Sequence, residues 1–380
     1  MNLHLESSKT APPILINGIS PEMPLESAAQ VPLKGSKPLQ VKHKRKPVHG
    51  LFLLDKPLGL SSNQALQKVK WLLGAEKAGH TGTLDPLASG VLPICLGAAT
   101  KFSQIHLDAD KSYVALVRLG QSTTTADAEG ELLETQDCSE LNLDDTVIEK
   151  LRQSFTGPMT QKPPMYSALK VQGRNLYELA REGVTIDRAD RHITIHGLQI
   201  CVVKSALDGQ SFLDGHAPSR EPHLFDWDQL ILQEHPLLAI WVKCSKGTYI
   251  RTLGEDIGKA LGTCAHLVGL RRVKTGAFDL TQSLSLGELE RIEPSERARQ
   301  LLPVETLLAG HIRVTLDEED SARFLTGLPR RGDWPDQEQV AVFAKSNNSL
   351  LGSAHTLGGE LIPDRLLNPL EINSILESLS

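Results

Sequence analysis

The sequence predicts an α+β fold built on a mixed, mainly antiparallel sheet. Segments typical of strands, in which apolar residues alternate or run together, occur near residues 50–54, 91–96, 111–119, 166–171, 192–203 and 237–244. Segments with helical spacing lie between them at irregular intervals. A doubly wound parallel sheet requires a regular alternation of strand and helix, so the irregular order favours the α+β class.

The first predicted helix follows Ser61 or Ser62, either of which can cap its amino terminus, and Gly74 is placed to end it. Its apolar residues repeat at helical spacing: Ala65, Leu66, Val69, Leu72 and Leu73. The same reasoning predicts helices near 98–106, 145–155, 174–181 and 248–261. The last part of the chain is predicted to hold a helix at 319–326 and short strands at 339–345 and 350–355.

Composition shifts divide the chain into three regions. Residues 1–47 mix Pro, Ser and polar residues without periodicity and end in a basic run, which predicts a disordered arm. We expect a main folded domain over 48–310 and a small domain over 311–380. Within the main domain, the stretch 205–236 is rich in Asp, Pro, His and Gly and is longer than a normal connection, so it is predicted to be an inserted loop.

Charge is distributed unevenly along the chain. The formal net charge of −6 argues against an indiscriminate nucleic-acid binder, because phosphate contacts require Lys and Arg. Residues 124–145 contain eight acids and no base, whereas residues 243–274 contain seven bases and two acids. This segregation permits one positive face on an acidic protein.

The remaining composition indicates a cytoplasmic protein. The five cysteines form no C-x-x-C pair, so neither a disulfide framework nor a zinc site is predicted. No apolar run has the length of a membrane span, and the first residues lack the apolar core of a signal peptide. We expect no membrane association and no cofactor.

One loop concentrates the residues that could carry chemistry. Residues 79–93 read GHTGTLDPLASGVLP. The glycines let the backbone bend and approach a ligand closely, and Pro86 fixes the chain directly after Asp85. A carboxylate held this rigidly suits a nucleophile or a general base. The alternative is a turn or helix-capping aspartate.

This segment resembles the catalytic motif of the bacterial tRNA pseudouridine-55 synthases, the TruB family, which reads G-H-x-G-T-L-D-P-x-A-x-G-V-L. Every fixed position is matched. Further blocks similar to the family occur in the family's order, so the resemblance spans about residues 49–310. The blocks are Leu53–Pro57 with Gly59, Ser61 and Ser62, then Lys111–Tyr113, Tyr166–Val171, Cys244–Thr252 and Leu270–Arg272.

The resemblance implies a pseudouridine synthase catalytic fold followed by a small PUA-like RNA-binding domain at 311–380. It also implies the essential residues. Asp85 corresponds to the aspartate that attacks the sugar or base, or removes a sugar proton. Arg251 corresponds to the arginine that pairs with this carboxylate. Tyr113 corresponds to the tyrosine that stacks on the uracil and can accept the C5 proton, and an unperturbed pKa of about 10 makes stacking the safer role.

Other positions are assigned to substrate binding. By the resemblance, Tyr249 and Leu270 line the uracil pocket, and His80 fills the gap left when the target base is extruded from the tRNA arm. Four basic residues are expected to contact phosphates: Lys56, Lys111, Arg271 and Arg272.

Two further patterns in the sequence do not predict a binding site. Residues 254–260 are similar to a phosphate-binding loop, but the run is one residue short and lacks the Ser or Thr that holds magnesium. His192 and His196 would share a strand face, yet the sequence offers no third ligand, so no metal site is expected.

The resemblance implies a cofactor-free isomerase that acts on the uridine of the TΨC arm (position 55) of tRNA. We expect the TΨC stem-loop to be its partner, with no obligatory protein partner and a monomeric state. Two alternatives are a non-catalytic tRNA-binding or tRNA-folding factor, and the catalytic subunit of a guide-RNA complex.

Overall fold

The computed structural model describes residues 45–171, 173–217, 225–232 and 234–379. Most of the predicted arm and part of the predicted insertion therefore lie outside the described residues. The strands are β1 Gly50–Lys56, β2 Ala78–His80, β3 Ala88–Leu96, β4 Lys111–Leu119, β5 Gln121–Thr123, β6 Leu132–Thr135, β7 Gly157–Gln161, β8 Lys170–Val171, β9 Arg174–Asn175, β10 Arg191–Val203, β11 Leu237–Cys244, β12 Ala265–Thr275, β13 Phe278–Asp279, β14 Leu284–Ser285, β15 Ile312–Leu316, β16 Arg330–Arg331, β17 Gln337–Ala344, β18 Leu350–Leu357 and β19 Glu360–Leu366.

Short and medium helices connect the strands. They are α1 Ser62–Leu72, α2 Ser103–Leu107, α3 Asp145–Ser154, α4 Leu176–Arg181, α5 Ala206–His216, α6 Trp227–Ile231, α7 Ile250–Ala260, α8 Leu286–Arg291, α9 Glu318–Leu325 and α10 Pro369–Leu379. Single 3₁₀ turns lie at Gly97–Lys101, Leu280–Gln282, Arg297–Gln300 and Val304–Leu308.

The larger sheet has the strand order β14-β1-β3-β12-β4-β11-β10-β7, with β2 added to β3 and β13 to β12. The pairs β1–β14 and β3–β12 are parallel, and the other pairs in this sheet are antiparallel. The predicted α+β class with a mixed, mainly antiparallel sheet is therefore confirmed. Within the described residues, no helix combines the length and the apolar character needed to cross a membrane.

The first helix forms as the sequence predicts. Ser61 is its N-cap and makes a capping box with Gln64, and the residues that face inward at helical spacing are buried. The predicted helix at 98–106 is wrong in detail, because a 3₁₀ turn and the short helix α2 share that stretch. The predicted strand at 166–171 is reduced to the two residues of β8.

Strand β12 was not predicted, although it lies in the middle of the larger sheet. Nearly all of its residues are buried, including Arg271 and Arg272. The polar residues His266, Arg271 and Arg272 interrupt the apolar run by which a fully buried strand is identified.

The stretch 205–236 holds two helices, α5 and α6, where the sequence analysis predicts a loop. Trp227 and Leu213 are buried, and the indole of Trp227 donates to the side chain of Gln210 at 2.9 Å. The buried guanidinium of Arg118 on β4 donates to the carbonyls of Leu230 and His235. These contacts attach the stretch to the sheet because buried donors and acceptors are satisfied across it.

The last part of the described chain forms a separate sheet of order β15-β17-β18-β19-β16, flanked by α9 and α10. The helix at Glu318–Leu325 and the strands β17 and β18 match the predicted elements. Lys101 joins this part to the part that holds the larger sheet, since its ammonium contacts Glu371 at 2.6 Å and the carbonyl of Leu366 at 2.8 Å.

Three adjacent strands position the central residues of the site. In β3, β12 and β4 the residues Gly90, Arg272 and Tyr113 lie side by side. Gly90 has a φ of +104°, and a Cβ atom there would lie 2.1 Å from the carbonyl oxygen of Arg272. Only glycine permits this close parallel pairing.

We expect Gly90→Ala to lower the free energy of unfolding by about 2–4 kcal/mol, because the added methyl group meets backbone that cannot move away. Urea denaturation measures the change. Gly215→Ala is the matched control, since Gly215 lies in α5 with nothing within 4 Å of its added Cβ atom. Equal stability of the two variants would contradict the close-approach argument.

Candidate active site

Asp85 lies in a loop that is fixed against the start of α1. The hydroxyl of Ser62 accepts from the amide of Leu84 at 2.7 Å and donates to its carbonyl at 2.9 Å. The amide of Gly59 donates to the carbonyl of Pro86 at 2.9 Å. Asp85 lines a pocket of about 680 Å³, which we call the active-site pocket. Its side chain is 41% exposed. The loop therefore presents one carboxylate on a rigid backbone.

Arg251, the second residue of α7, holds Asp85. Its guanidinium is buried, and its Nη2 atom lies 3.0 Å from Oδ2 of Asp85. The same guanidinium donates to the carbonyls of Thr125 at 2.9 Å and Tyr166 at 2.6 Å. Its Nη1 lies 3.5 Å from Oδ2 of Asp127. Arg251 thus connects helix α7 to three other segments of the chain: the Asp85 loop, the turn that carries Thr125 and Asp127, and the segment at Tyr166.

Asp127 is a residue of this cluster that the sequence analysis did not single out. It is 2% exposed, and its carboxylate accepts from the hydroxyl of Thr125 and from the amide of Glu129. The preceding Ala126 has a φ of +60°, a conformation that non-glycine residues seldom adopt. In the sequence Asp127 is one of eight acids in an acidic run, and only its local turn contacts could have distinguished it from a surface acid.

The charges around Asp85 act in opposite directions on its ionisation. Burial raises the pKa of Asp85, Arg251 lowers it, and the neighbouring Asp127 raises it. The pKa of Asp85 is raised overall, so Arg251 offsets only part of the effect of burial and of Asp127. The carboxylate gains a fixed orientation from the same contact.

Tyr113 lines the active-site pocket from strand β4. Burial raises the pKa of Tyr113, and the adjacent Arg272 lowers it. Because the net direction is upward, the phenol stays neutral at physiological pH and offers its ring as a flat surface. Leu270 and Tyr249 line the same pocket, as the sequence analysis predicts for pocket residues.

Gln161 fixes the backbone of Tyr249. Its side-chain carbonyl accepts from the amide of Tyr249 at 2.7 Å, and its side-chain amide donates to the carbonyl of Tyr249 at 3.0 Å. Gln161 ends strand β7 and is nearly fully buried. The sequence analysis missed it because its partner is 88 residues away in the chain.

His80 lies apart from the pocket wall. It ends the short strand β2, is half-buried, and is paired with Ile94 of β3. Burial lowers the pKa of His80, and the nearby Arg272 lowers it further. The imidazole is therefore neutral near pH 7, which suits a stacking surface better than a cationic phosphate contact.

The four residues that are expected to contact phosphates are buried in this structure, and the assignment stays a prediction. Arg271 makes a two-pronged ion pair with Asp55 at 2.6 and 2.9 Å. Lys56 is fully buried and donates to the carbonyls of Pro57 and Leu60. Lys111 and Arg272 line the active-site pocket. Lys111 donates to the carbonyls of Leu107 and Ala109, and Arg272 donates to the carbonyl of Val91.

Neither of the two dismissed patterns forms a site. Residues 254–260 belong to helix α7. His196 lies 3.3 Å from Asp110, and among the residues that the structure describes no group of three or more His, Cys, Asp or Glu side chains is arranged to hold a metal ion.

Burial lowers the pKa of Lys56 to about 8. Between pH 8 and the ordinary value of 10.5, the unfolded chain binds more protons at this position than the folded chain, so stability rises with pH. We expect Lys56→Met to remove from this window a slope of up to about 1.4 kcal/mol per pH unit.

The measurement is the free energy of unfolding against pH for the wild type and for Lys56→Met. Lys68→Met removes an ammonium group from an exposed position of α1 and serves as the matched control. Burial also lowers the pKa of Lys111 to about 8, so Lys111 contributes to the slope in the same window. A slope in Lys56→Met as steep as that of the wild type would rule out a contribution from Lys56.

Two family models match the chain in sequence. The model described as "TruB family pseudouridylate synthase (N terminal domain)" matches residues 70–250, and that described as "tRNA pseudouridylate synthase B C-terminal domain" matches residues 251–309. In three dimensions, the chain is similar to one from the crystal structure of a Cbf5-Nop10-Gar1 complex. That likeness has a TM-score of 0.57 at 24% identity and covers 88% of this chain and 89% of that chain, which shows a shared fold.

Two relatives are more similar to this chain in sequence than that structure is. The tRNA pseudouridine synthase B of Verminephrobacter eiseniae (strain EF01-2) is 51% identical over 334 residues, which cover 88% of this chain and 93% of the relative. The protein of the same name from Ralstonia nicotianae is 47% identical, with 87% of this chain and 97% of the relative covered. The chain belongs to the TruB family of pseudouridylate synthases.

Proposed function

We propose that this protein converts the uridine at position 55, in the TΨC arm of tRNA, to pseudouridine. The observation that carries the proposal is Asp85, a single carboxylate that Arg251 orients at the wall of a pocket lined by Tyr113, Tyr249 and Leu270. Relatives that are about half identical over most of their length are named tRNA pseudouridine synthase B, which supports tRNA as the substrate.

The reaction breaks the C1′–N1 bond of uridine and rejoins the uracil to C1′ through C5. It needs a group that assists departure of the uracil and a base that removes the C5 proton, for which Tyr113 is the candidate by the resemblance. N1 takes up a proton in exchange, so the net change is an isomerisation without redox chemistry. Asp85 supplies the first function, either by covalent attack or by removing a sugar proton. Arg251 keeps its carboxylate ionised and directed at the ribose.

The aromatic residues bind and shield the uracil. Tyr113 offers a neutral ring for stacking, and Tyr249 and Leu270 line the same pocket. When the target uridine is extruded, it leaves a gap in the stack of RNA bases. We assign His80 to filling this gap, since its imidazole is flat and neutral.

The broader setting follows from the same assignment. The TΨC stem-loop is the binding partner, and the small domain at 311–380 is proposed to be a PUA-like RNA-binding domain. We propose that the protein acts in the cytoplasm as a monomer without an obligatory protein partner or cofactor.

We expect Asp85→Asn to abolish pseudouridine formation while tRNA binding changes less than about threefold, because the amide keeps the shape but loses the reactive charge. The measurement is pseudouridine mapping on an unmodified tRNA transcript incubated with purified protein alone. Turnover by Asp85→Asn would contradict the mechanism. Tight tRNA binding without conversion by the wild type would favour a tRNA-folding factor or a partner-dependent enzyme.

Arg251→Lys is expected to lower the single-turnover rate by about 100-fold or more, because an ammonium group cannot reach both Asp85 and Asp127 in fixed geometry.

Asp127→Asn removes a charge that raises the pKa of Asp85. The acidic limb of its pH–rate profile should therefore move to lower pH. Single-turnover rates from pH 4 to 8 test both variants, and an unshifted limb in Asp127→Asn would exclude the coupling.

A further inference from the structure

Arg272 is a buried cation to which the proposed mechanism gives no role. It is 1% exposed, and its hydrogen bonds go to neutral carbonyl groups: Nε donates to Val91 at 2.7 Å and Nη2 to Gly82 at 3.5 Å. Among the residues that the structure describes, no carboxylate pairs with Arg272, whereas Arg251 and Arg271 both have such a partner. A buried cation without a counter-ion strongly stabilises a neighbouring group that becomes negative.

The neighbouring group is the phenol of Tyr113. Tyr113 on β4 and Arg272 on β12 lie directly opposite each other in an antiparallel pair, so their side chains leave the same face of the sheet. Burial lowers the pKa of Arg272, and Tyr113 is the group in the described chain that raises it. Both residues line the active-site pocket, but Arg272 has almost no accessible surface. Its charge therefore acts on a bound uracil through Tyr113.

The charges around Tyr113 come from several elements. Burial raises the pKa of Tyr113 and Arg272 lowers it, whereas Cys244 on β11 and Asp85 in the catalytic loop raise it. Lys111 leaves the same face of β4 two residues earlier, and burial together with Arg272 lowers the pKa of Lys111 to about 8. Because the pKa of Tyr113 is raised overall, its phenol is protonated in the resting protein. Arg272 is the cation that limits the cost of ionising it.

We propose that Arg272 is a positioning residue for the isomerisation: it orients the phenol of Tyr113 and stabilises the phenolate that forms while a proton is transferred. The inference rests on the proposed function, because it assigns the route by which the C5 proton leaves and N1 gains a proton. It gives Tyr113 a proton-transfer role in addition to stacking.

The proton transfers balance within the site. When the C1′–N1 bond breaks, its electron pair stays on N1, and the phenol of Tyr113 gives its proton to N1. The phenolate that results lies next to Arg272. The electron pair of the C5–C6 double bond then forms the C5–C1′ bond. The phenolate removes the proton from C5, and the electron pair of the C5–H bond restores the double bond. Tyr113 is neutral again, and one proton has moved from C5 to N1.

The first test measures the ionisation of this phenol without RNA. The chain has four tyrosines, and their replacement by difluorotyrosine makes the phenols more acidic and observable by fluorine NMR. Tyr113→Phe assigns the signal of position 113. We expect Arg272→Met to raise the pKa of the phenol at position 113 by about 1 pH unit or more, because it removes a neighbouring positive charge. Arg272→Lys keeps the charge and should raise the pKa less.

Arg118→Met is the matched control. Arg118 is also a fully buried arginine that donates to backbone carbonyls, and it does not line the active-site pocket. The titration at position 113 should be unchanged in this variant. The assignment is overturned if Arg272→Met leaves the pKa at position 113 unchanged, or if Arg118→Met raises it equally.

The second test measures single-turnover pseudouridine formation on the TΨC stem-loop. Tyr113→Phe keeps the ring that stacks and loses the hydroxyl, so we expect a loss of about 100-fold or more. Arg272→Lys should cost about 10-fold in the wild-type background and nothing further in Tyr113→Phe, because the two residues act on the same proton. Independent, multiplying losses in the double variant would overturn the proposal, and this comparison holds even if Arg272→Met does not fold.

The two tests separate this inference from the proposed function. A wild type that forms no pseudouridine would contradict the proposed function. The fluorine titration needs no RNA, so it would still decide whether Arg272 acts on the phenol of Tyr113. An active wild type with a normal titration in Arg272→Met would instead overturn the role of Arg272 alone.

Discussion

The buried guanidinium of Arg251 is the contact on which the site depends. Removing a charged group from water is costly unless opposite charge and hydrogen bonds replace the solvent. Here the replacements come from the Asp85 loop, the turn that carries Thr125 and Asp127, and the carbonyl of Tyr166. Each of these segments is far from the others in sequence, so burying one arginine fixes all of them together. The Asp85 carboxylate owes its orientation to this requirement.

The central strands supply a rigid support for that cluster. Gly90 allows β3 to approach β12 closely, and β4 then places Tyr113 opposite Arg272. Arg272, Arg271 and Lys56 are all buried, each held by backbone carbonyls or a carboxylate. The charge of Lys56 lowers the pKa of Asp85, and the charge of Arg272 lowers the pKa of His80.

Local patterns were sufficient for the helix after Ser61 and for the strands β4 and β11. The helix follows from capping and periodicity, and the two strands follow from their apolar content. The same approach failed for β12, since the buried polar residues His266, Arg271 and Arg272 interrupt its apolar run. It also failed for residues 205–236, where the buried side chains of Leu213 and Trp227 belong to helices α5 and α6. A polar, glycine-containing composition does not reveal which few apolar residues will be buried.

The sequence by itself determined the family, the fold class and the identity of Asp85, Tyr113 and Arg251 as candidates, because the blocks that carry them are continuous in the chain. Tertiary structure alone decided which residues meet. It placed Asp127 against Arg251 and buried the four bases that were expected to contact phosphates. The physical reason is that desolvation and ion pairing depend on distances in space, and contacts between segments more than a hundred residues apart leave no periodic signal in either segment.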